Sequence, residues 1–242
     1  MIRKPGNLIL LHGFLGDMED FDPLREFLPE FLTISLPGHG GLFLDASVTT
    51  EVVLAHLAAE INHLAGGEPF TLGGYSMGGR LAVWLTSLGL VEPRGLVLMG
   101  ASLGIPDKEQ RKVRLFRDRE IAKKLPAGDF EKFLDEWYRQ PLFGELRNSR
   151  EYPGILERRL RGDPAQLARA LGLFSVGRQP DLTRFRFRQE IMYIAGGEDR
   201  KYAEIAAGLR ETKTAIIAGA GHAVHLERPS EVGRIIQGME RK

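Results

Sequence analysis

The chain has 242 residues, 43% hydrophobic and 27% charged, enough for one large domain with a sizeable core and short for two independent ones. Its net charge of +1 gives no overall reason to expect nucleic acid, and the lack of cysteine rules out disulfides, thiolate catalysis and cysteine-based metal sites. No apolar run approaches a membrane span, and residues 1–6 lead straight into an apolar stretch too short for a secretory leader, so a cytoplasmic protein is expected.

Residues 8–11 read as a buried strand ending in the loop His12-Gly13-Phe14-Leu15-Gly16. His12 is read as a structural loop histidine. Residues 21–27 predict a short helix, with Asp20 or Asp22 near its start and Pro29 beyond it. A second strand is expected over 31–36, followed by the loop Pro37-Gly38-His39-Gly40-Gly41. Thr49 or Thr50 caps a helix to about Leu64, whose apolar positions Val52, Val53, Leu57, Ile61 and Leu64 recur near the helical period.

The next stretch organises the chain. The apolar run from Phe70 breaks into Gly74-x-Ser76-x-Gly78, and an amphipathic segment over 80–88 follows: strand, sharp turn, helix. In such a turn the serine backbone is strained, and glycines two before and two after remove Cβ atoms that would clash. The Ser76 hydroxyl is thereby thrown out at the top of the sheet. The N–H of Met77, at the helix N-terminus, is left to hold a negative oxygen, and the N–H of Phe14, in the loop after the first strand, is the matching donor. The five-residue pattern also occurs in ordinary Gly/Ser turns, so its weight depends on the rest of the chain.

A further strand is read over 95–99. From 103 to 188 only helices are predicted, broken by Pro106, Pro126, Pro141, Pro153, Pro164 and Pro180, with 20 Lys+Arg against 13 Asp+Glu. Strands resume at 191–195 and 214–217. The expected division is a core of residues 1–102 and 189–242 and an inserted helical cap of residues 103–188. Strands alternating with helices on both sides of the insertion argue an α/β fold with a mostly parallel, doubly wound sheet of about six strands. Ligands in such sheets gather at the carboxyl ends of the strands, where the cap would lie. No internal repeat is evident.

A serine hydroxyl is barely acidic and needs a base, which in turn needs a carboxylate to fix its tautomer. In folds with this turn the order along the chain is Ser, acid, His. Gly196-Gly197-Glu198-Asp199-Arg200 and Ala218-Gly219-Ala220-Gly221-His222 each follow a predicted strand. Asp199 is taken as the acid, with Glu198 as the adjacent alternative, and His222 as the base, with His225 as the competing histidine.

The loop donor, the turn, the acid and the histidine, in this order over the whole chain, resemble the α/β-hydrolase superfamily. Many members carry further strands before the first loop, so the resemblance implies a sheet trimmed at that edge. Within the superfamily, Leu11-His12-Gly13-Phe14-Leu15-Gly16, Gly74-Tyr75-Ser76-Met77-Gly78-Gly79-Arg80, Arg111-x-x-Arg114-x-x-x-Asp118, Trp137-Tyr138-x-Gln140-Pro141-Leu142-Phe143 and Gln179-Pro180-Asp181-Leu182 resemble the family of 2-succinyl-6-hydroxy-2,4-cyclohexadiene-1-carboxylate synthases. That resemblance implies a lyase that expels pyruvate from a substrate with three carboxylates, Ser76, His222 and Asp199 acting as a general base, in menaquinone biosynthesis.

The residues themselves point to an anion. Arg80 lies one helical turn beyond Ser76, and 103–188 adds Arg111, Arg114, Arg158 and Arg159. A pocket for neutral esters has little use for several guanidiniums, each costly to bury without an anion. Arg80, Arg114 and Arg158 are the candidates for gripping carboxylates, Arg111 and Arg159 are their neighbours, and Trp137, Tyr138 and Tyr75 complete the candidate substrate-binding set. The alternatives are a carboxylesterase or C–C hydrolase using Ser76 as a covalent nucleophile, and a non-catalytic binding module. No cofactor motif or metal cluster is read. A small tricarboxylate is the expected partner, without nucleic acid or membrane, and a monomer is the working expectation for an oligomeric state the residues do not reveal.

Overall fold

The computed structural model describes residues 7–28, 30–209 and 212–240, so the expectations resting on residues 1–6 and on Pro29 lie outside it. Six strands build one sheet: β1 (Asn7–Leu11), β2 (Leu32–Ile34), β3 (Phe70–Tyr75), β4 (Gly95–Met99), β5 (Glu190–Gly196) and β6 (Lys213–Ile217). Their order is β2-β1-β3-β4-β5-β6 and every pair is parallel. The chain steps outward from β1 to β2, then crosses to β3 and continues the other way. The switch point therefore falls between β1 and β3, where a crevice opens at the carboxyl ends.

A parallel sheet must be covered on both faces, and its central strands become apolar throughout. Every residue of β3 and β4 is buried. Side chains alternate between two apolar layers. Ile9 and Leu11 face one, with Val53, Leu57, Leu81 and Val83; Leu8 and Leu10 face the other, with Phe21, Met99, Val232 and Ile236.

The first layer is closed by α1 (Thr50–Ala65) and α2 (Met77–Ser87). The Thr49 side chain caps α1 by accepting from the Val52 N–H, and Gly66, left-handed at φ 62°, ends it. The expected helix near residue 21 is a 3-10 helix, Met18–Glu26. It starts three residues early, and two further boundaries move markedly. β2 stops at Ile34 because the Leu36 N–H leaves the ladder for His12 Nε2, at 2.9 Å. α2 begins at Met77, three residues early, since the chain turns helical directly after Ser76.

Between β4 and β5 the chain forms α3 (Lys108–Lys124), α4 (Phe130–Tyr138), α5 (Gly144–Arg147), α6 (Tyr152–Leu160) and α7 (Pro164–Leu173) and no strand. Asp107, Asp129 and Asp163 cap α3, α4 and α7 with their carboxylates. The Leu182 N–H to Leu103 O bond, 2.8 Å, closes the base of this insertion. After β5 come α8 (Arg200–Gly208), α9 (Val224–Glu227) and α10 (Pro229–Glu240). Among the described residues no helix is long and apolar enough to cross a membrane.

Candidate active site

Ser76 sits where β3 meets α2, with φ 49° and ψ −106°, a conformation costing about 1–3 kcal/mol for a residue with a Cβ. The turn is possible only because its flanks are bare: a Cβ on Gly74 would strike the backbone of Gly78, and one on Gly78 would strike the Leu11 and His12 carbonyl oxygens. The Ser76 N–H donates to Met99 O at 2.8 Å, tying the turn to β4.

The other two groups arrive from the loops after β5 and β6, brought to the same edge by the parallel topology. His222 Nδ1–H donates to Asp199 Oδ2 at 2.6 Å, and the Ser76 hydroxyl lies 3.1 Å from His222 Nε2. With Nδ1 engaged, Nε2 is the nitrogen left to accept a proton. Asp199 is 5% exposed and stands at the N-cap of α8 without capping it, so its carboxylate is committed to the imidazole. Glu198 points to solvent instead.

His222 is held on every side. Its own N–H donates to Leu142 O at 3.0 Å, and its ring packs 4.6 Å from Tyr202 and 5.1 Å from Tyr75, centroid to centroid. The Glu227 carboxylate accepts from the N–H groups of Gly221 and Ala223, one on each side of His222. Burial pushes the Glu227 carboxyl above the usual range.

Burial keeps three other histidines neutral. His12, held at about 4, donates from Nδ1 to Gly13 O and accepts the Leu36 N–H at Nε2, so it shapes the loop after β1. His39 lies well below its ordinary value and accepts the Leu15 N–H at 3.2 Å. His225 is fully buried between Phe21 and Tyr75, and neither ring nitrogen has a hydrogen-bond partner among the described residues. It is held at about 3 by desolvation and does not reach Ser76.

A cavity of about 240 Å³ opens over Ser76, lined by Phe14, Met77, Arg80, Ser102, Arg114 and Trp137 among others, with Lys201 and Tyr202 on the α8 side. The Phe14 and Met77 N–H groups face no acceptor among the described residues. Arg80 is 7% exposed, donating to Gln179 Oε1 at 3.2 Å and to Phe174 O at 2.9 Å. No carboxylate pairs with it among the described residues, and desolvation brings its guanidinium down to about 10. Arg114 is half-buried and aligned by Asp118, at 2.8 Å; Asp118 is itself fixed by the Ser175 hydroxyl at 2.6 Å.

Three expected lining residues lie elsewhere. Arg158 turns away toward Asp17, Glu19 and Asp20, its Nη2 3.2 Å from Asp20 Oδ1, because that acidic cluster on and beside the 3-10 helix is a stronger partner than an open cavity. The Tyr138 hydroxyl is buried as acceptor for Arg159 Nε, whose Nη2 donates to both oxygens of Asp20 at 2.6 and 2.8 Å. Tyr75 ends a strand whose side chains alternate, so its ring backs His222 and His225 instead of facing ligand. Arg111 and Arg159 do not line the cavity either. Residues that sequence reasoning missed are Lys201 and Glu227; Gln179, singled out only within its motif, is the partner of Arg80. Lys201 stands two residues after the acid at the start of a helix, but nothing in the sequence separates it from its charged neighbours Glu198 and Arg200.

A parallel six-stranded sheet with a serine in a strained strand-to-helix turn and a histidine–aspartate pair from the last two strand ends defines a hydrolase-type α/β scaffold. The profile of the alpha/beta hydrolase family matches residues 8–235, and the chain belongs to that family. It is similar to the 2-succinyl-6-hydroxy-2,4-cyclohexadiene-1-carboxylate synthase of Escherichia coli strain SMS-3-5, 32% identical over 238 residues, covering 95% of this chain and 92% of that one. The structure of MenH from S. aureus superposes with a TM-score of 0.91 at 27% identity, covering 100% of this chain and 96% of that one. A thermophilic esterase from Thermogutta terrifontis shares the fold, with a TM-score of 0.79 at 24% identity over 98% of this chain and 89% of its own.

Proposed function

We propose that this protein is a carbon–oxygen lyase of menaquinone biosynthesis that eliminates pyruvate from 2-succinyl-5-enolpyruvyl-6-hydroxy-3-cyclohexene-1-carboxylate. The observation that carries the reading is the charge of the cavity over Ser76: Arg80, Arg114 and Lys201 line it, and no carboxylate does. A buried guanidinium without a counter-ion is costly, so a cavity that keeps one is built for an anionic ligand. The likeness to the Escherichia coli synthase supplies the particular anion.

In this mechanism Ser76 relays a proton and forms no acyl intermediate. The proton beside the succinyl ketone passes to Ser76 Oγ as the hydroxyl proton passes to His222 Nε2, and Asp199 steadies the imidazolium. The enolate oxygen is held by the Phe14 and Met77 N–H groups. Collapse of the enolate shifts the ring double bonds and breaks the C–O bond to the enolpyruvyl group. The departing enolpyruvate recovers the proton from His222 and tautomerises to pyruvate. Residues 103–188 act as a cap over the strand ends, contributing Arg114 and Trp137 and excluding water that would otherwise protonate the enolate.

The test is pyruvate release from freshly generated substrate, set against turnover of a small p-nitrophenyl ester. Fast pyruvate release abolished in Ser76→Ala, with poor ester cleavage and no burst, is expected. Efficient ester cleavage with a burst and no pyruvate release would overturn the lyase reading in favour of a hydrolase with Ser76 as nucleophile.

A further inference from the structure

A tricarboxylate needs three counter-charges, and only two of the expected guanidiniums reach the cavity. Arg80 and Arg114 line it, whereas Arg158 is spent on Asp17, Glu19 and Asp20. A third cation comes from another element. Lys201 lies in the first turn of α8, two residues after Asp199, and lines the same cavity. Its Nζ rests 4.9 Å from the centroid of the Tyr202 ring, and that ring lies 4.6 Å from the His222 ring. Among the described residues Lys201 makes no ion pair, although Asp199 and Glu198 are near in sequence; Asp199 is occupied by His222 and Glu198 points to solvent.

We infer that Lys201 is a specificity-determining residue that binds the third carboxylate of a tricarboxylate ligand, completing a set with Arg80 and Arg114; this inference rests on the proposed function for the identity of the substrate. Arg80 is buried and Arg114 is steered by Asp118, so both are fixed donors for carboxylates of defined geometry. Lys201 is a point charge on a flexible stem at the exposed rim, suited to a carboxylate that must enter last or leave first. Arg114 comes from the insertion and Lys201 from the core, so a ligand bridging them is gripped from both sides.

The experiment is calorimetric titration of the intact protein with tricarballylate, a saturated three-carboxylate probe, and with glutarate, which has two. Wild type is compared with Lys201→Ala, Lys201→Arg and Arg200→Ala, the last removing an exposed charge one residue away that does not line the cavity. A charge-assisted bond is worth about tenfold to a hundredfold in affinity. Lys201→Ala is expected to weaken tricarballylate by about that factor and glutarate by less than about threefold. Lys201→Arg should restore most of the loss, and Arg200→Ala should leave both probes within about twofold, since it alters only the screened long-range field. No tricarballylate binding to wild type, equal weakening of both probes, or an equal effect of Arg200→Ala would each overturn the assignment. The titration contains no chemistry, so it fails independently of the reaction. Loss of the third-carboxylate advantage in a protein that releases no pyruvate keeps Lys201 and removes the lyase; pyruvate release with KM unchanged by Lys201→Ala keeps the lyase and removes Lys201.

Discussion

Replacing Arg80 by methionine separates a residue kept for function from one kept for stability. Burial holds its guanidinium at about 10, below the ordinary arginine value, which corresponds to roughly 3 kcal/mol against keeping it charged at neutral pH. Arg80→Met removes that penalty and keeps the apolar stem. It also leaves Gln179 Oε1 and Phe174 O without their donor, at about 1–3 kcal/mol each. The two effects nearly cancel. For a chain of this size about 1 kcal/mol moves Tm by roughly 2–4 °C, so the variant should melt within about 12 °C of wild type by calorimetry. Transition-state binding should fall much further, because truncating one partner of a buried charge pair costs about 2–5 kcal/mol, or roughly thirtyfold to five-thousandfold in kcat/KM for pyruvate release. A variant that melts 15 °C lower, or that keeps kcat/KM within about fivefold, would refute the argument: the first result makes Arg80 a structural strut, the second makes the cavity charge irrelevant.

Two further perturbations follow from the site. Glu227→Ala frees the Gly221 and Ala223 N–H groups that bracket His222, so kcat should fall about tenfold to a hundredfold with little change in KM, and Glu227→Gln should retain more activity through one surviving acceptor; equal kcat for all three proteins would show that the loop holds His222 unaided. Acid stability tests the buried imidazoles. His12, at about 4, and His225, at about 3, stay neutral when folded but take up protons near 6.5 when unfolded. Their stabilisation is therefore complete above pH 6.5 and is lost as the pH falls toward the folded values, by up to about 1.4 kcal/mol per pH unit for each. Urea melts between pH 6.5 and 4.5 should show His225→Leu with a pH slope shallower by about one such increment, and an unchanged slope would mean that His225 is protonated in the folded protein.

Features that rest on local geometry or on order along the chain were legible in the residues alone. The turn at Ser76 was legible because backbone sterics demand glycine at positions 74 and 78, and the parallel sheet because apolar strands alternate with periodic helices. His222 was legible as a residue following the last strand, since in a parallel sheet every strand ends at the same edge. Orientation around a helix was not. α3 carries Arg111, Lys112, Arg114, Arg117 and Arg119 and buries only Asp118, so no apolar stripe marks which side faces inward. Asp118 and Ser175, 57 residues apart, decide it for Arg114. Asp17 and Asp20, some 140 residues before Arg158, decide it the other way for that side chain, with separations of 138 and 142 residues in the bonds of this cluster. Lys201 and Glu198 are each within two residues of Asp199, yet one lines the cavity and the other meets solvent. Such choices are settled by partners distant in sequence, because a charged side chain goes where an opposite charge or water is available, and only the tertiary structure says where that is.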